Sequence, residues 1–237
     1  MTVLPTALEA VLRRHPIWRG GAPARSASMP GLSTGFAALD RQLPGGGWPS
    51  GALTEILTAA EGGGELQLLL PALAGLSAAG RRIVWLAPPY LPFAPALAAA
   101  GIALRSVALV RTPRRREVLW AAEQLLRARA CHALLLWCRD VRYAELRRLA
   151  VAAADASHAL VALFRPQQRS AQTSSPAALR LALAPTASGL EVRILKCRGP
   201  RSEGSLRLPV NRPAHALDRP SLAASRPRDP VAWPCPA

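Results

Sequence analysis

Apolar residues in the middle of the chain fall into continuous runs that are separated by segments of helical spacing. The runs cover residues 52–57, 82–87, 107–111, 133–137 and 159–164. Strands that are covered on both faces have this continuous pattern, whereas half-exposed strands alternate. The intervening segments place apolar residues three or four positions apart, as amphipathic helices do. The first of these predicted helices ends at residue 79, and the others cover 94–100, 114–129 and 143–154. This β-α-β order predicts an α/β fold with helices on both sides of a mostly parallel sheet.

The C-terminal third of the chain follows a different pattern. A polar segment at 165–176 leads into two short apolar runs at 178–184 and 190–196, with a turn containing Gly189 between them. Two such runs around a glycine-containing turn predict a β-hairpin. Beyond Cys197 the chain is rich in proline and arginine and has little periodicity, and about the last 30 residues are predicted to be irregular.

The N-terminal region predicts one short helix and a linker before the core. Leucines recur at helical spacing until Pro16, which disfavours helical backbone in the residue before it. The glycine, alanine, serine and proline content of residues 19–30 is typical of a linker. The expected organisation is a docking helix at 1–18, this linker, a core at 31–209 and an irregular tail at 210–237.

The chain is strongly basic, but the charge has two explanations. Its 237 residues carry a formal net charge of +16, from 30 lysines and arginines against 14 aspartates and glutamates. A field of this sign attracts nucleic acids. Lysine occurs once, as Lys196, and the abundance of alanine, arginine, proline and glycine is typical of a GC-rich genome. A solvated arginine surface therefore explains the charge equally well.

Several classes of protein are disfavoured by what the chain lacks. The apolar stretch at 66–76 is far shorter than the roughly 20 residues of a membrane-spanning helix. The first residues do not have the order of charges of a secretory signal, so a cytoplasmic location is expected. The four cysteines are scattered without metal-ligand spacing, so neither a zinc site nor a disulfide framework is expected. Four tryptophans are expected to lie in or near the core: Trp48, Trp85, Trp120 and Trp137.

The most specific motif precedes the second predicted helix. Residues 33–40 read S-T-G-F-A-A-L-D, residues 43–51 form a glycine-rich turn, and Glu55-Ile56 lies in the first predicted strand. A second glycine-rich loop follows at 61–65. The order and spacing resemble the entry to the ATPase core of the RecA family, in which such a strand runs into a phosphate-binding loop. The resemblance implies a RecA-like three-layer core.

The residues that such a core uses for hydrolysis are absent. A phosphate-binding loop of this type needs a lysine for the phosphates and a hydroxyl for magnesium, and here Glu65 and Leu66 stand in those places. Pro89 stands where the family has its catalytic glutamate, and Trp137 replaces the strand-end aspartate that helps to hold magnesium. The sequence therefore predicts a protein without catalytic residues, metal or cofactor, with a degenerate phosphate loop made of Glu61, Gly62, Gly63, Gly64, Glu65 and Leu66.

Two segments leave alternatives open. The backbone N–H groups of Gly62–Gly64 suit an anion at a helix N-terminus, but the carboxylates on either side favour a purely structural loop. The polar residues after the fifth predicted strand fall where RecA relatives place a DNA-facing loop, and an exposed polar loop explains them equally well. Candidate contacts with DNA or with a partner are Arg165, Gln167, Gln168, Arg169, Lys196 and Arg198.

Four segments together carry a more specific resemblance. They are G-E-L-Q-L-L-L-P-A-L at 64–73, I-V-W-L-A-P-P-Y at 83–90, L-W-A-A-E-Q at 119–124 and S-P-A-A-L-R-L at 175–181. The chain resembles the ImuA family of translesion-synthesis accessory proteins from about residue 4 to about residue 209. The resemblance implies a non-catalytic adaptor in the SOS-induced mutasome, which binds ImuB, a Y-family polymerase homologue. RecA and an error-prone DnaE-type polymerase are further candidate partners, with nucleoid association under DNA damage.

An alternative function belongs to a neighbouring class. Cell-division inhibitors of the SulA kind share the degenerate RecA-like core and the SOS control. The resemblance to that class implies binding of the tubulin-like division protein instead of a polymerase. The N-terminal helix, the linker and the tail make this chain longer than expected for that class.

Overall fold

The computed structural model describes residues 31–59, 62–112, 114–197 and 204–210. The eight strands are β1 (Ala52–Thr58), β2 (Ile83–Leu86), β3 (Val107–Val110), β4 (Ala133–Trp137), β5 (Leu160–Pro166), β6 (Leu179–Thr186), β7 (Gly189–Cys197) and β8 (Ser205–Pro209). The helices are α1 (Ala37–Asp40), α2 (Glu65–Ala78), α3 (Ala94–Ala99), α4 (Arg115–Arg127), α5 (Tyr143–Asp155) and α6 (Gln167–Ser170), with a 3-10 turn at Leu104–Ser106. The predicted N-terminal docking helix, the linker and the tail from residue 211 lie outside the described residues.

The strands form one sheet in the order β3-β2-β4-β5-β1-β6-β7-β8. The six strands from β3 to β6 in this order are parallel, and the last two are antiparallel to their neighbours. One buried cluster joins α2 and α3 to one face of the sheet, and a second joins α4 and α5 to the other face. The predicted three-layer α/β fold with a mostly parallel sheet is confirmed.

The antiparallel end of the sheet extends further than the sequence predicts. The hairpin of β6 and β7 is confirmed, and β8 adds a third strand at the end of the predicted core, which the sequence does not predict as a strand. The segment S-L-R-L-P offers two apolar residues, too few to be recognised as a strand. Leu208 nevertheless buries its side chain in the core. Gly189 is required at the turn, since a Cβ there would lie 2.1 Å from the carbonyl oxygen of Leu208.

The S-T-G-x-x-x-L-D segment is closed by the carboxylate of Asp40. One carboxylate oxygen accepts a hydrogen bond of 2.9 Å from the backbone N–H of Thr34, and the other accepts one of 2.8 Å from the Ser33 hydroxyl. Burial raises the pKa of Asp40, but the hydrogen bonds from Thr34 and Ser33 outweigh burial and hold it below its ordinary value. This motif therefore stabilises the start of the core.

Three of the four central tryptophans lie where the sequence predicts. Trp48 and Trp85 are fully buried, and Trp137 is half-buried at the end of β4. The prediction for Trp120 is wrong, because its side chain is 63% exposed on α4. Within the described ranges, no helix has the length and hydrophobicity needed to cross a membrane.

Candidate functional site

A cavity of about 240 Å³ opens at the carboxyl ends of β1, β2, β4 and β5. Parallel sheets bind ligands at this edge, where the loops of several strands meet. The volume is below the range that is usual for small-molecule sites. The lining residues come from the four strand ends and the start of α2, and they are Thr58, Ala59, Glu65, Ala87, Pro89, Trp137, Cys138, Arg139, Phe164, Arg165 and Pro166.

The cavity brings together positions that the sequence singles out separately. Glu65 of the predicted phosphate loop, Pro89, Trp137 and Arg165 all line it. They meet because each lies at or just after the carboxyl end of a parallel strand, or begins the helix after one. The sequence singles these positions out one by one and does not predict how their side chains contact one another.

Glu65 turns its carboxylate back onto the glycine-rich loop. Its Oε1 accepts a hydrogen bond of 3.0 Å from the backbone N–H of Gly62, and the side chain is buried. The loop allows this because Gly62 and Gly64 adopt left-handed backbone with φ of 77° and 93°. The protein's own carboxylate thus takes a backbone donor of the kind that a phosphate would use, and its charge repels a triphosphate.

The remainder of the degenerate loop contributes to packing. Leu66 is half-buried against the cluster that contains α2. The predicted loop residue Glu61 lies outside the described residues. These observations favour the structural interpretation of the loop over anion binding.

Aromatic rings form the apolar wall of the cavity. The rings of Trp137 and Phe164 stack with centroids 4.5 Å apart and an interplanar angle of 16°. The ring centroid of Trp85, on β2, lies 5.7 Å from that of Trp137. A magnesium site needs oxygen ligands, and the ring of Trp137 supplies none. Among the described residues, no group of three histidine, cysteine, aspartate or glutamate side chains is arranged to hold a metal.

Cys138 is the one thiol on the cavity lining. Burial raises its pKa to about 11, and the nearby Arg115 and Arg165 offset this effect incompletely. Nucleophilic cysteines have lowered pKa values in electropositive surroundings. Cys138 therefore remains a protonated thiol at neutral pH and is a packing residue.

Beneath the cavity lies a buried ionic triad that the sequence analysis missed. Glu55 of β1 is fully buried, and Arg165 and Arg180 are each 6% exposed. Arg165 Nη1 donates to Glu55 Oε1 at 2.7 Å, and Arg180 Nε lies 2.7 Å from Glu55 Oε2 as an ion pair rather than a directed hydrogen bond. A charged residue inside an apolar strand run is the signal that indicates such a cluster, because buried charges need partners.

The two arginines of the triad also hold backbone segments in place. Arg165 Nη2 donates to the Val141 carbonyl at 3.3 Å, and Arg180 donates to the carbonyls of Ser170 and Thr173 at 2.6 and 3.1 Å. The triad thereby fixes the start of α5 and the turn after α6. Arg165 is buried by these contacts and has no exposed guanidinium to offer, so the structure does not favour it as a contact residue for DNA or a partner.

The other candidate contact residues are spread along the adjoining edge. Gln167 and Gln168 lie on α6, with Gln167 half-buried and Gln168 exposed. Lys196 is exposed on β7 and donates to the Ser175 carbonyl at 2.7 Å. The side chain of Arg169 and all of Arg198 lie outside what the structure describes. No shared pocket gathers the described members of this group.

The fold and the site together define a class. A mostly parallel sheet whose first strand runs into a glycine-rich turn and a long helix, with a cavity at the strand ends, is the three-layer α/β core that the sequence predicts. The cavity carries Glu65, Pro89 and Trp137, the positions at which the sequence resemblance places residues of nucleotide hydrolysis.

The comparisons with known proteins concern the fold. The crystal structure of SulA from Pseudomonas aeruginosa is similar to this chain, with 24% sequence identity and a TM-score of 0.40. The likeness covers 48% of this chain and 97% of that chain. No protein-family model and no curated protein matches the chain.

Proposed function

We propose that this chain is a non-catalytic accessory protein of SOS-induced translesion DNA synthesis, an adaptor of the ImuA type. It binds an ImuB-type polymerase homologue, with RecA and a DnaE-type polymerase as further partners. The proposal rests on the residue segments that resemble the ImuA family and on the chemistry of the strand-end cavity. The cytoplasm, with association to the nucleoid under DNA damage, is the location that this role requires.

The observation that carries the non-catalytic part is the position of the Glu65 carboxylate. It accepts the Gly62 N–H from inside the loop that would otherwise face a phosphate. Lys196, the only lysine in the sequence, lies on β7 and donates to the Ser175 carbonyl. The cavity therefore offers a nucleotide no loop lysine and, among the described residues, no cluster of side chains arranged to hold a metal, which supports a role in binding partners.

An adaptor also needs an exposed apolar surface, and the loop between β2 and α3 has one. Tyr90, Leu91 and Phe93 are 68%, 68% and 71% exposed. They directly follow Pro89 at the mouth of the cavity. Aromatic residues are enriched among those that dominate binding energy in protein interfaces, so this loop is the surface that we assign to the polymerase homologue.

The test of partner binding is an affinity pull-down from damage-induced cells with the full chain as bait. We expect the wild type to recover the ImuB-type homologue and Phe93→Ala to lose it. Because an exposed ring contributes little to folding, such a loss would report on binding and not on unfolding. Val151→Ala, at a site 56% exposed on α5, is the matched control and should bind as the wild type does. Recovery of the division protein alone would support the SulA-like alternative and refute the mutasome proposal.

The test of the non-catalytic part is ATP turnover on the same preparation. We expect no hydrolysis above background and no binding of an ATP analogue by the wild type. Turnover by the wild type that Glu65→Lys leaves unchanged would show that the loop is interpreted wrongly.

A further inference from the structure

The two helical layers of the protein differ in charge. Helices α2 and α3 contain no lysine or arginine, whereas α4 and α5 contain five arginines. With the flanking turns, the segment from Arg111 to Asp155 holds ten arginines and five carboxylates. Base composition acts along the whole chain and does not concentrate arginine on one layer. The charge of this layer therefore needs another explanation.

Ion pairs between the two helices fix the arrangement of the layer. Arg115 Nη1 lies 2.7 Å from Glu145 Oε2, and Arg148 Nη2 lies 2.8 Å from Glu123 Oε2. Glu123 is buried and Glu145 is largely so. These two carboxylates thus face the inside of the layer, and the outer surface is left with a strong excess of positive charge.

Exposed aromatic rings interrupt this basic surface. Trp120 of α4 is 63% exposed, and Tyr143 at the start of α5 is 53% exposed. Arg116 precedes Trp120 by one helical turn, and Arg147 follows Tyr143 by one turn, so each ring lies beside an exposed arginine on its own helix. Both pairs are exposed on this layer. Trp120 lies on the outer side of α4, and Tyr143 lies on the side of α5 turned away from α4, because Glu145 and Arg148, which pair with α4, are about 140–160° around the helix from it.

We propose that this face, made of α4 and α5, binds single-stranded nucleic acid. Trp120 and Tyr143 stack on bases, and Arg116, Arg127 and Arg147 contact phosphates. Proteins that bind single strands combine a basic groove with stacking rings in this way. Interfaces with nucleic acid are much more positively charged than interfaces between proteins, which agrees with the excess of arginines over carboxylates in this layer. The face is separate from residues 167–169, and the inference does not depend on the proposed function.

The experiment measures binding of the full chain to a fluorescent oligothymidylate by anisotropy over a series of salt concentrations. The oligonucleotide is longer than the roughly 4–16 nucleotides that one such module covers. Trp120→Ala tests stacking, and the double variant Arg116→Gln/Arg147→Gln tests phosphate contacts. The double variant Arg105→Gln/Arg193→Gln removes two exposed arginines elsewhere in the fold and is the control for net charge.

We expect Trp120→Ala to weaken binding about tenfold, which corresponds to one stacked base. The arginine double variant should reduce the slope of log affinity against log salt by about 1.4, since each lost phosphate contact on a single strand accounts for about 0.7. The control should change the slope much less. The proposal is overturned if the wild type does not bind at low salt, if Trp120→Ala binds as the wild type does, or if the control loses as much slope as the test variant.

Discussion

Replacing Glu55 by glutamine removes the carboxylate that two buried arginines contact. Arg165 and Arg180 then keep their charges in a site where each is 6% exposed. Removing one partner of a buried ion pair costs about 3–5 kcal/mol, since the remaining charge is left without compensation. Here two guanidinium groups lose the same partner, although the backbone carbonyls that they contact remain. We therefore expect a loss of about 3–5 kcal/mol, a large part of the 5–15 kcal/mol that is typical of a folded protein.

Urea unfolding followed by circular dichroism measures this loss. With an m-value of about 2 kcal/mol/M, Glu55→Gln lowers the midpoint by about 1.5–2.5 M. Glu117→Gln is the matched control, because its partner Arg114 is 81% exposed and the Glu117 side chain is 45% exposed. Surface pairs of this kind contribute about 0–1 kcal/mol. If Glu55→Gln shifts the midpoint no more than Glu117→Gln does, the triad does not stabilise the fold as argued.

Three further predictions concern the core. Burial raises the pKa values of Asp40 and Glu145, but hydrogen bonds outweigh it, from Thr34 and Ser33 to Asp40 and from Arg115 to Glu145, so both pKa values are lowered. The two carboxylates therefore contribute fully to the free energy of unfolding above their unfolded pKa values of about 3.9 and 4.3. This contribution is lost as the pH falls below those values. Urea midpoints between pH 7 and pH 3 should fall accordingly, and a constant midpoint would contradict this. Gly189→Ala should destabilise the protein by more than 1 kcal/mol in thermal melts, since its Cβ meets the neighbouring strand; a melt equal to that of the wild type would refute the clash. The Cys138 thiol should react with iodoacetamide far more slowly at pH 7 than a free thiol does, because burial raises its pKa to about 11; a rate equal to that of glutathione would contradict its burial.

The sheet is predictable from the sequence because its central strands are apolar on both faces. The predicted runs at 133–137 and 159–164 coincide closely with β4 and β5. Alternate residues of these strands point to opposite faces of the sheet, and a helical layer covers each face. The short elements α1, α6 and β8 are not predictable in this way. Each contains four or five residues, which is too few to display a period.

The error at Trp120 has a different origin. The apolar residues Val118, Leu119, Ala122 and Leu126 define the buried side of α4. On a helix of 3.6 residues per turn, position 120 falls on the opposite side of that set. The helical spacing therefore indicates an exposed side chain at position 120, whereas the general preference of tryptophan for the core indicates a buried one.

The partners of Glu55 in the buried triad cannot be predicted from the sequence around it. Glu55 and Arg165 are 110 positions apart, and their contact exists because β1 pairs with β5 in the register that sets Ile56 opposite Phe164. An apolar run that contains a charge reveals that a partner must exist. It does not reveal which strand provides the partner, since that depends on the order of strands in the sheet.

The cavity connects this buried network with the absence of nucleotide hydrolysis that we propose. In a nucleotide-binding loop, a bound phosphate satisfies the backbone donors and a lysine compensates the phosphate charge. Here the carboxylate of Glu65 accepts the Gly62 N–H, and the stacked rings of Trp137 and Phe164 line the same cavity. The chain thus supplies an internal acceptor for a backbone donor of the loop, and this contact forms without a ligand. A loop arranged in this way suits the non-catalytic binding role that we propose.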